Sequence, residues 1–133
     1  MSGTGTHILL IDDDLDMHHV VKLILELSGY HVACYSTGPA GLEAIRRQPP
    51  DVILLDIMLA SPSEGLELAA TLKWDDRFRQ IPIIMISAIG RQFGPGLAQE
   101  AGVGGVKADR FLEKPLDARA LLAAVREVLG ARG

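Results

Sequence analysis

Four short apolar runs limit what this chain can become: Ile8–Ile11, Val32–Tyr35, Val52–Leu55 and Ile81–Ile86. Each is nearly continuous rather than alternating, and β-branched residues are common in them. Strands buried on both faces of a parallel sheet read this way, because no side of such a strand meets water. Phe111–Leu112 forms a fifth, weaker candidate.

Helical patterns fill the gaps. Leu15–Ser28 carries Val20, Val21, Ile24 and Leu27 at helical spacing, with Gly29 as the stop. Pro39–Gln48 follows the cap types Ser36 and Thr37, with Pro39 tolerated in a first turn. Gly65–Lys73 follows Ser63 and shows a stripe of Leu66, Ala69, Ala70 and Lys73, with Trp74 closing it. Asp117 is placed to cap Ala118–Leu129, whose Leu121, Leu122, Val125, Val128 and Leu129 make an apolar face. Strand and helix therefore alternate about five times, which predicts an open α/β sandwich. Between Arg91 and Arg110 only a short helix near Leu97–Ala101 is read, because Gly94–Pro95–Gly96 and Gly102, Gly104 and Gly105 interrupt the segment.

A chain of 133 residues suits one domain with an ordinary core. Its net charge of −4, with Lys and Arg scattered, argues against a nucleic-acid surface. Cys34 is the only cysteine, which removes a disulfide framework and a thiolate metal cage and fits a reducing, cytoplasmic setting. No signal core precedes the first strand, and no apolar run approaches the roughly 18 residues of a membrane span. His7, His18, His19 and His31 lack metal-ligand spacing and read as structural or surface residues.

Ligands in a parallel α/β sheet bind at the carboxyl ends of the strands. Here the first strand runs into Asp12–Asp13–Asp14, the third into Asp56 and the fourth into Ser87, while the fifth leads to Lys114–Pro115. Asp14 reads as the cap of the first helix and Asp16 as a solvated first-turn acid. Converging carboxylates repel unless a cation neutralises them, and Mg²⁺ suits an all-oxygen site that keeps several waters. An Asp beside such a cation, with an ammonium and a hydroxyl nearby, is what phosphoryl transfer to a carboxylate requires.

With these residues the chain resembles the receiver domain of two-component response regulators, CheY-like, over about Thr6 to Leu129. The marks are Ile-Asp-Asp-Asp after the first strand, Asp-Ile-Met after the third, Ser-Ala after the fourth, and Leu-Glu-Lys-Pro near the end. The resemblance implies a flavodoxin-like, doubly wound sheet of five parallel strands in order 2-1-3-4-5, with helices on both faces. It implies a single receiver domain over 1–133, with its core at about 6–130. No residues remain after Leu129 for an output domain, so the chain is read as a stand-alone regulator or an excised domain.

The resemblance also implies roles. Asp56 would accept the phosphoryl group from a sensor histidine kinase or phosphotransfer protein. Asp12, Asp13, Asp56 and the Met58 backbone carbonyl would hold Mg²⁺. Ser87 and Lys114 would assist, Ser87 and Phe111 would switch, and Lys114–Pro115 would be cis. The output would be a changed protein-binding surface toward a downstream target, with no direct nucleic-acid or membrane contact and with homodimerisation open. No enzymatic activity is expected beyond the domain's own phosphorylation and dephosphorylation. The alternative is a receiver-fold interaction module that works without phosphorylation. Enzymes on this architecture fit less well: a nucleotide binder needs a phosphate loop where Asp12–Asp14 stand, and a haloacid-dehalogenase-type phosphatase needs an Asp where Met58 stands.

Two departures from the family stand out. After Asp56 the family's Pro position is Ala60, with Pro62 and a Gly65 one residue late, which puts the Met58 loop in question. Ser87 and Lys114 lie 27 positions apart, about a helical turn more than usual, and the surplus falls in a glycine-rich stretch. The Arg91–Asp109 segment is therefore expected to be mobile or non-standard. Met58 and Ile89, two residues beyond Asp56 and Ser87, are apolar and predict slow hydrolysis of an acyl phosphate.

Overall fold

A computed structural model describes residues 5–57, 59, 64–87 and 108–132. Five strands appear: β1 (His7–Ile11), β2 (His31–Tyr35), β3 (Val52–Asp56), β4 (Ile83–Ser87) and β5 (Arg110–Glu113). Among the described residues there are four helices: α1 (Leu15–Leu27), α2 (Gly38–Arg47), α3 (Glu64–Trp74) and α4 (Ala118–Arg132). The strands form one parallel sheet in the order β2-β1-β3-β4-β5. This is the doubly wound arrangement that the resemblance implied.

Both sheet faces are covered, which is why the strands carry apolar residues in succession. Leu9, Ile11, Ile53, Leu55, Ile83 and Met85 pack with Ile45 of α2 and Leu68, Ala69 and Leu72 of α3. The alternate residues Ile8, Leu10, Val52, Leu54, Ile84 and Ile86 pack with Met17, Val21 and Leu25 of α1 and Leu121 and Val125 of α4. The two-residue period of a strand thus feeds two cores at once.

The helix ends follow local chemistry. Asp14 caps α1 by accepting from the Asp16 N–H, and Thr37 caps α2 by accepting from the Ala40 N–H. Asp117 does the same for α4, accepting from the Ala120 N–H at 2.9 Å. Gly29 ends α1 with φ of 95°, a conformation open to glycine, while the N–H groups of Gly29 and Tyr30 return to the Glu26 and Leu25 carbonyls.

Three sequence readings need correction. The buried face of α1 is Met17, Val21 and Leu25, whereas Val20 and Leu27 are exposed. That helix has more apolar residues than one face can bury, so its facing could not be fixed from spacing alone. In α3 the buried set is Gly65, Leu68, Ala69 and Leu72 rather than Leu66, Ala69, Ala70 and Lys73. Finally, β4 begins at Ile83 rather than Ile81. Pro82 has no N–H to give the ladder, although its carbonyl still accepts from Ile53.

The Met58 carbonyl, the loop positions 60–63, Ile89, the 97–101 helix and most of the 91–109 stretch lie outside the described residues. Asp109, at the end of that stretch, is firmly held. Its N–H donates to the Ile83 carbonyl, and its Oδ2 accepts from the Ile83 N–H and from Lys73 Nζ. Among the described residues, no helix is long and apolar enough to cross a membrane.

Candidate functional site

Every strand of a parallel sheet ends on the same edge, and here four of the five bring polar groups to it. Asp12 directly follows β1, Asp56 and Ser87 are the last residues of β3 and β4, and Lys114 directly follows β5. Parallel pairing holds these ends in register: the Asp12 N–H donates to the Tyr35 carbonyl, and the Lys114 N–H donates to the Ser87 carbonyl.

The arrangement is strongly charged and largely dry. Asp12 is fully buried and Asp56 is 4% exposed, while Asp13 faces solvent. One carboxylate oxygen from each of Asp12, Asp13 and Asp56 falls within 4.8 Å of the others. Lys114 Nζ reaches into this group, 3.1 Å from Asp12 Oδ2 and 3.3 Å from Asp56 Oδ2. Burial by itself would lower the pKa of that ammonium. The Asp56 charge and the bond and charge of Asp12 outweigh it, so the lysine stays above its ordinary value.

A divalent cation fits these donors. Among the described residues one ammonium meets three carboxylates, and the donor set is all oxygen, as Mg²⁺ prefers. Moreover, Asp12 Oδ2 is buried without a hydrogen bond among the described residues, its approach to Lys114 being an ion pair without hydrogen-bond alignment. An acceptor left this way is costly unless charge from another source meets it.

Gly65 packs against the end of β3. A Cβ there would collide with the backbone oxygens of Asp56 and Ile57, and the Gly65 N–H donates to the Ile57 carbonyl at 3.0 Å. The close approach of α3 to the end of β3 therefore requires glycine. Although this glycine comes one residue later than the family pattern, it makes direct contact with the end of β3.

The structure brings together Asp12, Asp13, Asp56 and Lys114, and it sets Ser87 beside them on the neighbouring strand end. Phe111 is half-buried in β5, against the core on the α2–α3 side. The Lys114–Pro115 bond is cis, as the resemblance implied. Cys34 is half-buried in β2, and Trp74 ends α3 in an exposed position. His18, read from the sequence as a structural or surface residue, is half-buried beside this site. Its ring Nε2 lies 2.6 Å from the Asp12 carbonyl oxygen, and no motif signals that contact.

Comparison with known proteins agrees with this geometry. The chain is 35% identical over 124 residues to the transcriptional regulatory protein CseB of Streptomyces coelicolor, covering 93% of this chain and 49% of that protein. It is 35% identical over 129 residues to the phosphate regulon transcriptional regulatory protein PhoB of Pseudomonas aeruginosa, covering 97% and 54%. The chain thus spans about half the length of the curated relatives it matches. Among solved structures, a CheY-like response regulator receiver domain protein from Methanospirillum hungatei superposes with a TM-score of 0.81 at 28% identity, covering 96% of this chain and 95% of that one. A sensor protein from Polaromonas gives 0.84 at 25% identity, covering 97% and 99%. Residues 8–126 match the family model of the response regulator receiver domain, and the chain belongs to that family.

Proposed function

We propose that this domain accepts a phosphoryl group on Asp56 from a histidine kinase or a phosphotransfer protein and passes the signal on through a changed protein-binding surface. One observation carries the reading: a nearly buried carboxylate at the end of β3 that shares its site with two further carboxylates and an ammonium 3.3 Å away.

In the transfer, a carboxylate oxygen of Asp56 forms a bond to phosphorus as the phosphorus–nitrogen bond of the donor's phosphohistidine breaks. The electron pair of that bond leaves with the imidazole, which takes up a proton from solvent. Lys114 would supply fixed positive charge to the phosphoryl oxygens, beside two buried carboxylates. Asp12 and Asp13, with Asp56, would hold Mg²⁺, which when bound neutralises charge on the transferring group. Ser87, at the end of the neighbouring strand β4, would donate its hydroxyl proton to a phosphoryl oxygen. Movement of Ser87 toward that oxygen and of Phe111 toward the core would bias a two-state element near β4 and β5. The only chemistry assigned to the domain is its own phosphorylation and dephosphorylation, in a cytoplasmic setting.

The test is incubation with a small phosphodonor and Mg²⁺, read by mass, for the wild type and Asp56→Asn. The expected result is one added phosphoryl group on the wild type, dependent on Mg²⁺, and none on the variant. An unchanged wild-type mass with Mg²⁺ still bound would favour an interaction module that works without phosphorylation.

A further inference from the structure

His18 touches the acidic site from a direction the phosphoryl-transfer reading leaves unused. It lies one turn into α1, and helical side chains lean back toward the helix N-terminus. That lean carries its ring to the end of β1, where Nε2 comes within 2.6 Å of the Asp12 carbonyl oxygen. A carbonyl can only accept, so Nε2 carries the proton and donates it. The contact is partly buried, which limits competition from water.

The peptide that this bond holds is a joint. On one side Asp12 is fixed: its N–H donates to the Tyr35 carbonyl at 3.0 Å, and its Oδ1 accepts from the Asp14 N–H at 2.9 Å. On the other side, Asp13 is exposed and makes no side-chain hydrogen bond or ion pair among the described residues. Its backbone therefore sets the direction of its Cα–Cβ bond, and with it the space the carboxylate can reach. The orientation of the Asp12–Asp13 peptide sets ψ of Asp12 and φ of Asp13, and so sets the direction in which the Asp13 side chain leaves the backbone. The His18 bond holds that orientation from the carbonyl side, with the Asp14 N–H bond to Asp12 Oδ1 spanning the same peptide.

We infer that His18 is a positioning residue for the cation site: by clamping the Asp12 carbonyl it keeps the Asp13 carboxylate within shared reach of Asp12 and Asp56. This rests on the reading of those three carboxylates as the Mg²⁺ site. His18 itself contacts neither the cation nor the phosphoryl group. Its effect passes through one peptide plane, so it acts on affinity before any transfer takes place.

Mg²⁺ affinity of the full chain, measured calorimetrically and by the shift of the Asp13 amide resonance, tests this without phosphodonor. His18→Ala is expected to weaken Mg²⁺ binding about tenfold and to move the Asp13 amide signal even in metal-free protein. His18→Gln puts an amide N–H at nearly the reach of Nε2 and is expected to restore affinity to within about threefold of wild type. If His18→Ala fails to fold, His18→Met offers similar length without a donor and takes its place. Wild-type affinity in the donor-less variant would overturn the inference, as would an equal loss in His18→Gln, because a purely structural role would not follow the donor. A wild type that binds no Mg²⁺ would instead overturn the cation-site reading, and this inference with it.

Discussion

Lys114 and a bound cation would draw on the same carboxylates, so the lysine both prepares the site and competes for it. A unit charge about 5 Å from a divalent ion repels it by roughly 1–2 kcal/mol even at the dielectric of water, about tenfold in affinity. Lys114→Gln is therefore expected to bind Mg²⁺ about tenfold more tightly while taking up phosphoryl groups at least tenfold more slowly. Calorimetry with a phosphodonor time course checks both, and a variant that loses both properties together would show that Lys114 mainly holds the site's shape. At Gly65 two effects oppose each other. Alanine is the better helix former by at most about 1 kcal/mol. Its Cβ would meet the backbone at Asp56 and Ile57 rather than a yielding side chain, and overpacking of that kind costs about 1–3 kcal/mol. Gly65→Ala should therefore lower the urea midpoint, and an unchanged or raised midpoint would mean that α3 can move away from β3 at little cost.

At the scale of elements, the strands were legible in the sequence because burial on both sheet faces leaves continuous apolar runs, while the facing of the helices was not. Leu15, Met17, Val20, Val21, Leu23, Ile24, Leu25 and Leu27 wrap most of the way around α1, so more than one stripe satisfies helical spacing. Only the docked helix shows that Leu25 is fully buried and Leu27 is 80% exposed. Leu25→Ala is expected to cost about 2–5 kcal/mol and Leu27→Ala less than about 0.5 kcal/mol, read from denaturant midpoints. Comparable losses at both positions would reverse the assigned face. The acidic site divides in the same way. Asp12, Asp13, Asp56 and Lys114 could be read because strand ends are marked in the sequence and a parallel sheet gathers them on one edge. The His18 clamp could not, since it depends on the angle at which α1 leaves the sheet. Nor could the hold of Lys73 and Asp109 on the start of β4, since it joins residues 36 positions apart through a sheet edge that carries no motif.

Across the whole molecule, the two ends of the sheet are built for different ends. At the amino ends of the strands, Lys73 Nζ donates to the Arg79 and Ile81 carbonyls and to Asp109, so charge there is matched by bonds to the backbone and a carboxylate. At the carboxyl ends, folding collects Asp12, Asp13 and Asp56 around Lys114, the one ammonium there among the described residues, and two of those acids lie out of water. The metal-free fold therefore carries repulsion that the unfolded chain, with its acids dispersed, does not. A cation that binds only the gathered site stabilises the fold by mass action, by about 2.7 kcal/mol at a concentration one hundred times its dissociation constant. The melting temperature should accordingly rise with Mg²⁺ well beyond the rise given by NaCl at equal ionic strength, since screening weakens long-range repulsion without filling the site. Asp12→Asn removes charge from the buried partner, so it should raise the stability of the metal-free protein relative to its Mg²⁺ form and flatten the Mg²⁺ response. Equal rises with Mg²⁺ and NaCl, or a response undiminished in Asp12→Asn, would mean that the acids are accommodated without a specific ion.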